Sequence, residues 1–164
     1  MVEQIKKLRV EVDKIGQLAQ ETRSAFYDST DIPMMSFEVA EAHKHLLLGK
    51  AWLGKLLGEL GNKSPYPKDG TRKTLKDIEP TADTTKNLTI KAEGGWKKLN
   101  AIEKVDYLRQ EIEQLTLKTT HMFAHLNVTR EFAIARTNSY NHLCEARFWL
   151  GFELARMKKI EDEK

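Results

Sequence analysis

With 164 residues and 27 Lys or Arg against 24 Asp or Glu, the chain carries a formal net charge of only +3. So small an excess excludes a surface built to hold bulk nucleic acid, and the length allows one domain or two small ones. The single Cys144 excludes an intramolecular disulfide. The opening Met-Val-Glu-Gln-Ile-Lys-Lys lacks a signal-peptide core, and no stretch approaches the roughly 18 apolar residues of a membrane span, so a soluble, cytoplasmic protein that does not engage membranes is expected.

The first predicted helix runs from about Val2 to Tyr27, with Ile5, Leu8, Val12, Ile15, Ala19 and Phe26 spaced by three and four along one seam that only Thr22 interrupts. Asp28-Ser-Thr-Asp-Ile-Pro33 ends it and resets the chain. The second helix covers about Met34 to Leu60. Its apolar residues Phe37, Val39, Leu46, Leu47, Leu48, Leu53, Leu56, Leu57 and Leu60 occupy more than one face, which implies more than one neighbour. Gly49, Gly54 and Gly58 read as points of close backbone approach, since each costs up to about 1 kcal/mol against Ala in an isolated helix.

Residues 61–99 form a linker with three of the four prolines and no helical period. It holds nine Lys or Arg against five Asp or Glu, and so accounts for the positive excess of the whole chain. Leu88-Thr-Ile-Lys is a candidate short strand. A connection of this length is commonly functional, disordered or partly structured. The third helix begins near Trp96 or Asn100 and reaches about Leu126, with Val105, Leu108, Ile112, Leu115, Met122 and Leu126 on its seam and Thr119 as the polar break. After Asn127-Val-Thr129 the fourth helix runs from about Arg130 to Ile160, with a fraying tail at Lys158-Lys-Ile-Glu-Asp-Glu-Lys164.

The two helix pairs are copies of one hairpin. A shift of 100 residues aligns Ile5 with Val105, Leu8 with Leu108, Arg9 with Arg109, Glu11 with Glu111, Val12 with Ile112 and Ile15 with Leu115. A shift of 97 aligns His45 with His142, Leu46 with Leu143, Lys50 with Arg147, Trp52 with Trp149, Leu53 with Leu150, Gly54 with Gly151 and Leu57 with Leu154. The offsets differ by three residues, as two helices of fixed register would if the first copy had the longer turn. The expected fold is all-α: two tandem long helical hairpins, 1–60 and 100–164, joined by a long, mostly irregular linker at 61–99 and assembling into a helical oligomer. A lone hairpin buries too little apolar surface to offset its chain entropy, so each needs a partner.

Few residues suggest chemistry. His121 and His125 share one helix face at metal-ligand spacing, but no third ligand follows at fixed spacing and no Glu-x-x-His occurs, so neither a metal centre nor any other cofactor is assigned. Cys144 and His142 do not share a face, and no catalytic residue is assigned. The linker supplies Tyr66 between two prolines with Lys68, Arg72, Lys73 and Lys86, together with Thr81, Thr84 and Thr85. These are the groups that phosphates and stacked bases require. Arg23 and Tyr27, near the end of the first helix, and Arg147, on the fourth, complete the candidate ligand-binding set. A solvated basic tether is the plain alternative for the linker, and packing is the plain role for Trp52 and Trp149.

Arg136-Thr-Asn-Ser-Tyr-Asn-His-Leu-Cys-Glu-Ala-Arg-Phe-Trp-Leu-Gly151 resembles the C-terminal helix of small phage proteins that sequester cyclic nucleotide signals, the anti-CBASS and anti-Thoeris sponges. Glu145, Ala146, Trp149, Leu150 and Gly151 match the helix pattern of that family, and the first copy keeps Trp52-Leu-Gly54 while Leu48 and Gly49 replace Glu and Ala. The resemblance implies a non-enzymatic protein that binds a cyclic oligonucleotide or cyclic ADP-ribose-type messenger intact in the host cytoplasm. It also implies six hairpins per assembly, hence a homotrimer of this tandem chain with pseudo-hexameric symmetry. Two other functions remain open on the residues alone: a helical scaffold with no small-molecule ligand, and, less supported, a hydrolase acting through His121 and His125.

Overall fold

The computed structural model describes residues 1–27, 37–61, 95–122 and 129–163, with the side chains of residues 24–27 outside that description. Its helices are α1 (Val2–Tyr27), α2 (Phe37–Glu59), α3 (Ala101–Met122) and α4 (Arg130–Asp162), and a 3-10 turn at Gly95–Lys98 precedes α3. Among the described residues there is no strand, and the proposed strand at 88–91 lies outside them.

The helix ends follow local chemistry. The Asn100 side chain accepts from the Glu103 amide at 2.9 Å while the Glu103 carboxylate accepts from the Asn100 amide at 2.8 Å, a reciprocal cap that starts α3. Thr129 caps α4 through the Phe132 amide. Gly61 closes α2 with a φ of 75°, a left-handed conformation that a residue without Cβ adopts cheaply, and its amide reaches the Gly58 carbonyl. α4 ends at Asp162, close to the expected Ile160, and its last turns are anchored by Met157, buried in the core, and Ile160, half-buried.

Within the first pair, Gly54 lies beside Arg9 and Lys50 pairs with Asp13, so α1 and α2 run antiparallel. In the second pair Gly151 lies beside Arg109 and Arg147 pairs with Glu113, so α3 and α4 do the same. These contacts are the same two written twice, because Arg9 and Arg109, Asp13 and Glu113, Lys50 and Arg147, and Gly54 and Gly151 are repeat mates. The duplication therefore extends from sequence to hairpin geometry.

Each helix packs on two others: α1 on α2 and α3, and α4 on α2 and α3. The most extensive contact, α2 against α4, joins the copies. Phe37 meets Trp149, His45 meets His142, and Ser139 reaches the Gly49 carbonyl, which makes α2 and α4 antiparallel. Gly49 is buried against Leu143, and a methyl group there would stand 3.5 Å from Leu143 Cδ2. The repeat-paired residues Ile5, Leu8, Val12, Ile15, Leu46, Leu53 and Leu57 and their seven mates all enter one apolar core. The polar interruptions are satisfied locally, since Thr22 donates to the Leu18 carbonyl at 2.8 Å and Thr119 to the Leu115 carbonyl at 2.7 Å.

One expectation for α2 needs correction, and another is met. Gly58 has nothing within 4 Å of where a Cβ would sit, so no close approach explains it. α2 does pack on two neighbours, α1 and α4, as its spread of apolar residues implied, although Phe37, Leu47 and Leu48 stay exposed.

Candidate functional site

His45 and His142 occupy the same place in the two copies, and their rings meet through their Nδ1 atoms across the α2/α4 contact, with centroids 5.3 Å apart and planes tilted by 33°. A residue that touches its own repeat mate lies on the axis relating the copies. The pseudo-two-fold axis of the bundle therefore passes between these imidazoles. Their Nδ1 atoms are 3.1 Å apart, and the same Glu145 oxygen stands 2.8 Å from His45 Nδ1 and 2.9 Å from His142 Nδ1. Glu145 comes from one copy only, because its mate is Leu48.

The surroundings of the pair are polar and partly open. Glu41, itself paired with Lys44 at 2.6 Å, lies 3.9 Å from His45 Nε2, too far for a hydrogen bond. Burial lowers the His45 pKa below its ordinary value, and the neighbouring His142 and Lys44 act in the same direction, whereas Glu145 and Glu41 oppose them. His43, on the α1 side of α2, is also lowered, first by burial and then by Arg23. Cys144 is tied by a hydrogen bond to Tyr140 one turn earlier, which raises the phenol pKa.

Where the start of α2 meets α4, an aromatic patch reaches solvent. Phe37 is 61% exposed, Phe148 59% and Phe152 52%. Phe148 and Phe152 contact edge to face at 4.6 Å, and Trp149 meets Phe37 at 5.6 Å. The first copy contributes only Phe37 to this patch: Ala51 and Lys55 stand in place of Phe148 and Phe152, and the Lys55 ammonium lies 4.9 Å from the centre of the Trp52 ring.

The candidate ligand residues from sequence divide sharply. Tyr66, Lys68, Arg72, Lys73 and Lys86 lie outside the described residues, as do His125 and the side chain of Tyr27. Arg23 stands near His43 on the first hairpin, and Arg147 is held 2.9 Å from Glu113 on the second. Sequence reasoning missed the axial His45, His142 and Glu145 cluster. The signal was present in the 97-residue alignment of the two histidines, but the alignment carries no information about where an axis falls.

Comparison with protein-family models, curated proteins and solved structures gives no match.

Proposed function

We propose that this chain is a non-enzymatic sponge that binds cyclic nucleotide second messengers and withholds them from their effector. The observation that carries this reading is the duplicated hairpin with the Trp-Leu-Gly element in both copies. Gly54 and Gly151 admit the Arg9 and Arg109 side chains, while Trp52 and Trp149 are half-buried against the apolar core. A family built from single hairpins thus has a counterpart here in one chain, and three such chains supply six hairpins.

Phe37, Phe148, Trp149 and Phe152 give that homotrimer an apolar surface to bury, since aromatic residues dominate the cores of protein interfaces. The basic linker provides the ligand chemistry: Arg72 and Lys73 offset phosphate charge, and Tyr66 stacks on a base. Arg23, Tyr27, Lys68, Lys86 and Arg147 extend the candidate set. No bond in the messenger is broken, so the work of the site is affinity alone. Sequestration requires a Kd well below the messenger concentration and sites in excess of messenger.

Equilibrium dialysis against cyclic dinucleotides, cyclic trinucleotides and cyclic ADP-ribose variants tests the proposal. One class should bind, and Arg72→Ala with Lys73→Ala should weaken it without changing the oligomer measured by analytical ultracentrifugation. Normal binding by both variants would remove the linker from the site. The exposed aromatic patch also favours a second reading, a scaffold that contacts only protein. That reading predicts no retention of any nucleotide.

A further inference from the structure

The three atoms at the pseudo-two-fold axis form a triangle with edges of 2.8, 2.9 and 3.1 Å. Hydrogen bonds do not fill it. An ionised carboxylate brings no proton, so only protons on the two Nδ1 atoms are available for three edges. If both imidazoles carry them, each can donate to Glu145, but the 3.1 Å nitrogen pair then sets two N–H groups against each other. If only one does, two lone pairs confront each other along one edge. A cation bound by the three atoms would remove either conflict, with the imidazoles turned from the present orientation, in which the two Nδ1 atoms point toward each other.

The edge lengths also select a geometry. Ligand atoms about 2.0–2.1 Å from one metal stand about 2.9 Å apart on an octahedral face and about 3.4 Å apart in a tetrahedron. The observed edges match the octahedral face. Two imidazoles and one carboxylate on a single face suit first-row transition cations rather than magnesium or calcium, which prefer all-oxygen sites.

We propose that His45, His142 and Glu145 bind one six-coordinate divalent transition cation of the iron, cobalt or nickel class, pinning α2 to α4 at the axis between the two hairpins. Three coordination positions face away from the protein ligands, and Glu145 lies at the exposed side of the site. The site is half of a symmetric one. Its second carboxylate is missing because Leu48 occupies the position equivalent to Glu145.

The test uses the full chain, free of any affinity tag and stripped with a chelator, titrated calorimetrically with cobalt(II) and nickel(II), and with magnesium(II) as a hard-cation control. One equivalent of the transition cations per chain should bind, magnesium should not, and the melting temperature should rise with metal. Glu145→Gln and His142→Ala should each weaken binding by more than roughly the tenfold that loss of an outer-shell partner costs, with the helical circular dichroism unchanged. Leu48→Glu should tighten binding by restoring the second carboxylate, a gain that requires no loss of fold. The proposal is overturned by absence of stoichiometric uptake in the wild-type chain, by uptake that survives both ligand variants, or by a Leu48→Glu protein that binds no more tightly than wild type.

Discussion

Glu153 is fully buried, and the only partner its carboxylate shows among the described contacts is Arg156, which bonds it through Nη2 at 2.7 Å and Nε at 3.0 Å. The repeat mate of Glu153 is Leu56, equally buried, so the hairpin accommodates a leucine at this place. Arg156→Ala strands the carboxylate in the core, a loss of about 3–5 kcal/mol for a buried pair. The Arg156 side chain is 32% exposed, so water entering the vacated space reduces the cost to about 3 kcal/mol. Glu153→Leu removes the charge along with its need for a partner and should be neutral or stabilising by about 1 kcal/mol. The double variant should then recover at least about 2 kcal/mol relative to Arg156→Ala. Urea unfolding followed by circular dichroism measures all four proteins. If Glu153→Leu costs as much as Arg156→Ala, or the double variant is no more stable than Arg156→Ala, the ion pair is not what the arginine provides.

Gly58→Ala should stabilise the chain by about 0.4–1 kcal/mol in the same assay, because the new methyl meets nothing and the unfolded state loses freedom. Leu46→Ala and Leu143→Ala remove repeat mates from the α2/α4 contact and should each cost about 2–5 kcal/mol, with the melting temperature falling in both. Asn100→Ala breaks the reciprocal cap at the start of α3 and should cost about 1 kcal/mol, with the loss of amide protection concentrated in the first turn of that helix by hydrogen exchange.

The four helices were legible because their seams repeat every three or four residues and because each seam occurs twice. Leu8 and Leu108, or Leu53 and Leu150, inform on one another: the same apolar residue kept at the same register in both copies marks a core position. The end of α4 was legible to within about two residues, Ile160 against Asp162, whereas the run of charges after Met157 hid the apolar burial of Met157 and Ile160. Glu153 was equally hidden, as its partner sits on the same helix one turn away and no seam pattern announces a buried carboxylate. The axial cluster depends on the angle and offset at which two hairpins pack, a tertiary quantity absent from any single helix period. Leu47, Leu48 and Phe37 illustrate the converse, for apolar residues on a third helix face state that a surface exists and leave its occupant unnamed.

Arg147 shows how repeat symmetry bears on function. It makes the same hairpin ion pair as Lys50, so its position is accounted for by structure whether or not it meets a ligand. The aromatic patch has no such counterpart, since Lys55 and Ala51 replace two of its rings. What the two copies share holds the fold, and what only one has is where an assembly or ligand gains specificity.

The most direct measurement is of what the protein releases. The purified chain is incubated with a panel of cyclic dinucleotides, cyclic trinucleotides and cyclic ADP-ribose variants, freed of unbound ligand by filtration, denatured by heat, and the supernatant is identified by mass spectrometry. Recovery of one species intact and in fixed proportion to protein is the predicted result. Recovery of a cleaved product, or of nothing from any member of the panel, would contradict the account.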